Sequence, residues 1–171
     1  MLYPKEQFMC GCAHMKLEQY DKAIFQFATS INIDAHDTEA WGNMANCYHA
    51  QGKFQEALRC TEQALKIMRK NWQLWHNCIR FALGCEQFYK AIGAVNELIR
   101  LDHLDGLNSH LLVKISELFL NKYAKNESMA EEEYLRHKTR FFAFFENFSN
   151  HINDYNVHRL VWRMKVTLGE P

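Results

Sequence analysis

Residues 38–71, which read TEAWGNMANCYHAQGKFQEALRCTEQALKIMRKN, decide the fold of this chain. Apolar residues recur at steps of three and four, first from Trp41 to Tyr48 and again from Phe54 to Ile67, and Gly52 lies between the two runs. This spacing predicts two amphipathic helices joined by a short turn. A single pair of such helices cannot bury both apolar faces, so the pair is expected to stack on similar helix pairs.

The same apolar register recurs at a fixed period of about 34 residues, within the range that is typical of helix-pair repeats. Downstream of residues 38–71 the matching positions hold Trp75, Phe88, Ala91, Ile99 and Leu101, and upstream they hold Tyr20, Ala23, Ile31 and Ile33. Self-similarity at a fixed period is the signature of a repeat protein. We therefore predict three stacked units, about 4–37, 38–71 and 72–105.

The repeated pattern resembles the tetratricopeptide repeat (TPR). The residues of the second unit that match it are Trp41, Met44, Ala45, Tyr48, Gly52, Phe54, Ala57 and Ala64. Thr61 replaces the large Phe of the second helix, Arg69 replaces the closing Pro, and Glu86 stands at the turn glycine of the third unit. The resemblance implies an all-α, right-handed superhelix of antiparallel helix pairs, an α-α solenoid.

Residues 8–104 also resemble the C-terminal repeat array of the tetratricopeptide repeat protein 27 family. The likeness rests on the step Gly11-Cys12-Ala13 and on the spacing of Trp72 and Trp75. It implies a non-enzymatic scaffold in chaperone-assisted assembly of large complexes, including the spliceosomal U5 particle. Because members of that family are larger, the chain is expected to be a fragment or a short form.

Composition narrows the classes of partner. The 171 residues carry 20 Lys and Arg against 20 Asp and Glu, and this balance argues against sequence-independent binding to nucleic acid or to an anionic membrane. No apolar run approaches the roughly 20 residues that span a bilayer, and the first residues lack the apolar core of a signal peptide. We expect a cytoplasmic protein that could also be nuclear. Its six cysteines are expected to be unbridged.

The repeat assignment predicts a binding groove. The first helix of each unit should line the inner surface, which places one polar strip there: Asn43, Asn46, His49, His76, Asn77 and Arg80. These side chains could donate and accept hydrogen bonds along an extended peptide or a helix, and Arg80 could hold a carboxylate with two parallel bonds. The alternative is a solvated polar surface with no dedicated ligand, in a segment that only spaces other parts of a larger protein.

A chaperone-tail clamp is not predicted. Repeats that hold the carboxylate end of heat-shock chaperones use Lys, Asn and Arg at fixed positions, and Asn46 and Asn77 match two of the Asn positions. Gly42 stands where the Lys of the first unit is required, and Leu107 and Leu111 stand at the positions of the third. The charges that would hold the carboxylate are missing.

The residues Asn46-Cys47-Tyr48-His49 include the side-chain types of a cysteine protease. On a helix, however, Cys47 and His49 diverge by about 200° around the axis, so this thiol and imidazole cannot meet. The sequence also lacks the glycine-rich and His-Glu-x-x-His motifs of nucleotide and metal sites. We therefore predict no enzyme, no metal and no cofactor.

Residues 106–171 are predicted to form degenerate helical repeats. Asp37, Asn71 and Asp105, which recur at the repeat period, are expected to cap three helices, and Ser128 with Glu131 has the spacing of a capping box. An aromatic face of five phenylalanines follows: Phe141, Phe142, Phe144, Phe145 and Phe148. Core is the favoured interpretation, and a surface left for a neighbouring repeat or a partner is the alternative. A last helix over 157–166 should cover the aromatic face with Leu160, Val161, Trp162 and Met164.

Overall fold

The computed structural model describes residues 4–124 and 129–169, and the regular structure within them is helical, with no strand. The helices are α1 (Pro4–Lys16), α2 (Tyr20–Ile33), α3 (Thr38–Ala50), α4 (Phe54–Ile67), α5 (Trp72–Gly84), α6 (Phe88–Arg100), α7 (Ser109–Phe119), α8 (Glu131–His151) and α9 (Tyr155–Thr167), with a π-helical turn at Leu120–Ala124. The all-α prediction is confirmed. Within the described ranges, no helix combines the length and the apolar character needed to cross a membrane.

The helices divide into two compact units, Met1–Cys85 and Glu86–Pro171. In the first unit α1 packs on α2, α2 on α3, α3 on α4 and α4 on α5. Each helix therefore covers the apolar face of the one before it, which no single pair could do for itself.

Helix starts follow the predicted caps in two cases of three. The Asp37 carboxylate accepts a hydrogen bond from the backbone nitrogen of Ala40 at 2.9 Å, and the Asn71 side chain accepts from the first turn of α5. The prediction for Asp105 is wrong, because α7 begins only at Ser109 and is capped by Asn108. A turn at Asp105 and Gly106, where Gly106 has φ of 77°, keeps the chain out of the helix at that point.

The repeated tryptophans make the same hydrogen bond. The indole nitrogen of Trp41 donates to the carbonyl of Ala35 at 3.2 Å, and that of Trp75 donates to the carbonyl of Arg69 at 2.7 Å. Each acceptor lies six residues before its tryptophan, so the indole ties the first turn of a helix to the loop that precedes it. A buried or half-buried indole needs such an acceptor, which accounts for the recurrence of Trp.

The turns inside the helix pairs share one backbone conformation. Gly52 has φ of 73°, and Glu18 and Glu86, which lie one repeat period before and after it, have φ of 56° and 55°. A residue with a Cβ in this left-handed region carries a strain of about 1 kcal/mol, which glycine avoids. The loss of the turn glycine at position 86 therefore does not change the turn.

Side-chain sizes are matched where the helices of a pair come closest. Gly11 of α1 lies against the ring of Phe27 of α2 so tightly that a Cβ on Gly11 would be 2.6 Å from that ring. In the next pair the equivalent positions, one period later, hold Ala45 and Thr61, both fully buried. The first pair thus combines glycine with the large Phe27, and the second combines alanine with the smaller Thr61. This change in sizes is consistent with dense packing in both pairs.

The second unit is built around the predicted aromatic face. All five phenylalanines of α8 are buried, and Phe141 stacks on Phe119 of α7 with ring centroids 4.0 Å apart. The core interpretation is confirmed. The expectation for Trp162 is wrong: it is 65% exposed, because Val157, Val161 and Met164 form the buried face of α9. Glu131 lies in the first turn of α8, and its predicted partner Ser128 lies outside the described residues.

The shared turn conformation predicts opposite effects of glycine substitutions. Gly52→Ala is expected to lower the free energy of unfolding by about 1 kcal/mol, and Glu18→Gly to raise it by about 0.5–1 kcal/mol, because each changes the strain at a positive φ. Gly93→Ala is the control: its site inside α6 has open space around it, so it should stabilise by about 0.5–1 kcal/mol. Urea unfolding followed by circular dichroism measures all three. Destabilisation by Glu18→Gly would contradict this account.

The contact between Gly11 and Phe27 predicts a rescue. Gly11→Ala should lower the free energy of unfolding by about 1–3 kcal/mol, because the new methyl group would overlap a buried ring. Adding Phe27→Leu should recover part of that loss, since the smaller side chain leaves room for the methyl. Denaturant unfolding of both single variants and the double variant measures the coupling. Simple additivity of the two single effects would show that the two positions do not compensate each other.

Candidate binding groove

A cleft of about 330 Å³ lies between the faces of α3 and α5 in the first unit. Its lining consists of Thr38, Glu39, Gly42, Asn43, Asn46, Met68, Asn71, Gln73, Leu74 and Asn77. Three of the six residues expected in the groove, Asn43, Asn46 and Asn77, therefore line it together. They do so because they lie on one face of the first helix of successive repeats.

Arg80 joins two of these asparagines. Its Nη2 donates to Oδ1 of Asn77 at 2.9 Å and to Oδ1 of Asn46 at 3.2 Å, and its guanidinium carbon lies 4.9 Å from the ring centroid of Phe81. The bond to Asn46 crosses from α5 to α3, which are not consecutive helices. Arg80 thus spans the groove, with one nitrogen already committed to protein oxygens rather than open to a ligand carboxylate.

The arginine also orients the amides. A guanidinium can only donate, so the oxygen of each asparagine must face it. The bond to Arg80 uses the oxygen of each carboxamide, so it leaves the NH2 groups of Asn46 and Asn77 unused. Because both asparagines line the cleft, a backbone carbonyl of a ligand there could accept from these two donors.

Asn43 and the two histidines have other contacts. The Asn43 side-chain nitrogen lies 3.8 Å from Sγ of Cys12, and the His49 ring packs against Phe54 and Phe81 with centroids 5.4 Å and 5.1 Å away. Burial, and then the nearby charge of Arg80, lower the pKa of His49 below its ordinary value. The His76 ring meets Trp72 edge-on at 5.7 Å.

Sequence reasoning missed one element of the cleft, the loop that precedes α5. Met68 lines the cleft, and its sulfur accepts a hydrogen bond from the Thr38 hydroxyl at 3.1 Å. No periodic signal marks Met68, because it follows the last residue of α4 and belongs to no helix face. Gln73 of α5 also lines the cleft, at a helix position that the repeat register places toward the groove.

The suspected nucleophile is buried and is not a thiolate at neutral pH. Cys47 has no exposed surface, and burial, with a smaller effect of Cys12, raises the pKa of its thiol to about 11. A nucleophilic cysteine requires the opposite shift. In the described part of the chain, no three His, Cys, Asp or Glu side chains come together in a way that could hold a metal ion.

Comparison with known proteins places the repeats. Residues 7–37 and residues 38–71 each match a family model described as "Tetratricopeptide repeat". Among curated proteins, the TPR repeat-containing protein C19B12.01 of Schizosaccharomyces pombe is 26% identical over 119 residues, covering 67% of this chain and 14% of its own length. The tetratricopeptide repeat-containing protein trd-1 of Caenorhabditis elegans is 25% identical over 126 residues, covering 74% and 16%. The chain therefore matches only about one sixth of the length of these relatives.

Solved structures share the fold at low identity. The Arabidopsis OM64 TPR domain superposes with a TM-score of 0.55 at 19% identity, covering 67% of this chain and 93% of that one. The MamA AMB-1 structure superposes with a TM-score of 0.58 at 15% identity, covering 97% and 82%. The predicted fold class is confirmed by these likenesses. Residues 7–71 match two tetratricopeptide repeats, within a chain that has the all-α fold of antiparallel helix pairs typical of that repeat.

Proposed function

We propose that the first unit is a protein-interaction module that binds an extended segment of a partner protein in the cleft between α3 and α5. The observation that carries this proposal is that Asn46 and Asn77 line the cleft while their oxygens accept from Arg80, so that the bond to Arg80 leaves both amide nitrogens unused. Donors fixed in advance lose little conformational entropy when a ligand binds, which favours recognition of peptide carbonyls. Side-chain amides bind the backbone of a peptide whatever its side chains are. The apolar Met68 and Leu74 would therefore supply selectivity for the side chains of the peptide.

The proposed setting follows from the family resemblance. We assign the chain to the tetratricopeptide repeat protein 27 family and infer a role in chaperone-assisted assembly of large complexes, in the cytoplasm or nucleus. Residues 72–105 would form a third repeat, which the cap at Asn71, the Trp75 indole bond and the positive φ of Glu86 support. Residues 106–171 would be degenerate helical repeats.

A second candidate is a spacer with no ligand in the groove. The observation that favours it is that Arg80 hydrogen-bonds to Asn46 and Asn77, while His49 and His76 pack on aromatic rings. On this view the polar strip holds adjacent repeats together and its polarity has no further use. The two candidates differ only in whether the amide nitrogens of Asn46 and Asn77 bind a ligand.

Aspartate at either asparagine separates the two candidates. Asn46→Asp and Asn77→Asp keep the oxygen that accepts from Arg80 and remove the side-chain NH2 group. The free energy of unfolding of each variant should therefore stay within about 1 kcal/mol of the wild-type value. Affinity for the partner should fall by about tenfold for each variant, since one hydrogen bond is lost and a carboxylate faces the peptide carbonyls. Quantitative affinity purification from native cells, followed by anisotropy titration with a peptide of the recovered partner, measures the loss.

Asn32→Asp is the matched control, because Asn32 is exposed on α2 and does not line the cleft. It should retain wild-type binding. If Asn46→Asp and Asn77→Asp also retain every partner at wild-type affinity, the groove proposal fails and the spacer candidate stands. If both aspartate variants unfold, Asn46→Ser and Asn77→Ser, which keep a small donor, replace them in the test. Stable serine variants that lose binding would support the groove proposal, and stable serine variants that bind as the wild type does would support the spacer candidate.

We also propose that the chain is not an enzyme, and the state of Cys47 gives a test. At pH 8 a thiol pKa of about 11 leaves about a hundredfold less thiolate than the ordinary value of 9.0. Alkylation of Cys47 by iodoacetamide should therefore be at least about a hundredfold slower in the folded protein than after unfolding, while the exposed Cys10 reacts in both states. Peptide mass spectrometry follows each site; rapid labelling of folded Cys47 would reopen the question of a nucleophile.

A further inference from the structure

Helix α9 presents an apolar stripe to solvent on the side opposite the core. Tyr155, Trp162 and Val166 are 77%, 65% and 59% exposed. They lie at i, i+7 and i+11, which is one face of a helix, and the stripe runs for about 16 Å along the axis. The core face of α9 is formed by Val157, Val161 and Met164, which are all buried. Three exposed apolar side chains aligned along three turns differ from the scattered single ones of an ordinary surface.

One border of this stripe is cationic. Arg159 and Arg163 lie along one edge and His158 along the other, all three exposed, and the sequence of α9 contains no acidic residue. Lys165 is engaged by Glu146 at 3.2 Å. Neither arginine has a carboxylate partner among residues 4–124 and 129–169. Two like charges one turn apart repel each other on a helix surface, so an incoming carboxylate would relieve a standing repulsion.

We propose that this surface, made of Tyr155, Arg159, Trp162, Arg163 and Val166, docks an acidic amphipathic helix of a partner protein. A helix fits because the stripe is straight, about three turns long and one residue wide, which is the shape that ridges of a second helix pack against. An acidic flank fits because Arg159 and Arg163 make one edge of the stripe positive. Trp and Arg are also the residue types that contribute most of the affinity at protein interfaces.

The chemistry distinguishes this partner from other candidates. A basic-aromatic helix could also meet an anionic membrane or single-stranded RNA, but the chain has no net charge and the arginines number only two on this face. Binding to either of those depends on many simultaneous phosphate contacts. A single helix with two suitably spaced carboxylates satisfies both arginines without requiring more charge than the surface carries.

The test uses the whole chain and a synthetic helical peptide of about four turns, with leucines along one face and glutamates on both flanks. A peptide with lysines in place of the glutamates and a peptide of the same composition with shuffled leucines serve as comparisons. Binding is measured by fluorescence anisotropy and by the shift in Trp162 emission. We expect the acidic peptide to bind at least about tenfold more tightly than either comparison, and Trp162→Ala to weaken it by about tenfold or more.

Charge reversal makes the test specific. The double variant Arg159→Glu with Arg163→Glu should lose the acidic peptide and gain the lysine peptide, which a merely unfolded protein would not do. Phe25→Ala and Arg59→Glu are the matched controls, since Phe25 is 68% exposed on α2 and Arg59 is exposed on α4. Both should bind as the wild type does.

Four results would overturn the proposal. The first is equal affinity for the acidic and lysine peptides, and the second is a loss of affinity in Phe25→Ala and Arg59→Glu as large as in the α9 variants. The third is Trp162-dependent dimerisation in sedimentation velocity. The fourth is tighter Trp162-dependent binding to phosphatidylserine vesicles or to an oligouridine RNA. Dimerisation would assign the surface to a second copy of the chain. Preference for vesicles or RNA would assign it to a phosphate-bearing partner.

Discussion

The close approach of helices within a pair is the constraint on which the rest of the first unit depends. Gly11 lies against the ring of Phe27, and the buried Ala45 and Thr61 hold the equivalent positions of the next pair, so neither position requires one fixed residue. The turn of the first pair keeps the same conformation, since position 18 has a positive φ although it carries a glutamate. A side chain that costs about 1 kcal/mol of strain is tolerated because the packing around it determines the backbone.

The groove is a consequence of this stacking. Asn46 of α3 and Arg80 of α5 occupy equivalent places on two first helices, and Asn77 lies one turn before Arg80, so stacking brings both amides within reach of one guanidinium. The arginine then links α3 to α5 and uses only the oxygen of each amide. The same contacts thus serve stability and leave donors available, which is why aspartate, an isosteric replacement, can separate the two roles.

Much of the fold followed from the sequence because it rests on local physics. The repeat register, the caps at Asp37 and Asn71 and the burial of the α8 phenylalanines all depend on residue spacing and on hydrogen bonds within a few positions. The errors came where a choice depended on distant packing. Asp105 had the right residue type for a cap, but the turn before α7 placed Asn108 there instead. Trp162 had the right hydrophobicity for the core, but three smaller residues already filled its place.

The sequence by itself determined the class of structure, paired helices in a repeat, because periodicity fixes which faces are apolar and the constant repeat period fixes how often the pair recurs. It also determined that Asn43, Asn46 and Asn77 lie on corresponding faces. Only the tertiary structure decided that Arg80 bonds to two amides, that burial lowers the pKa of His49, and that an apolar stripe on α9 faces solvent. The physical reason is that spacing assigns a side chain to a face, whereas its partner and its exposure depend on what the rest of the chain places opposite it.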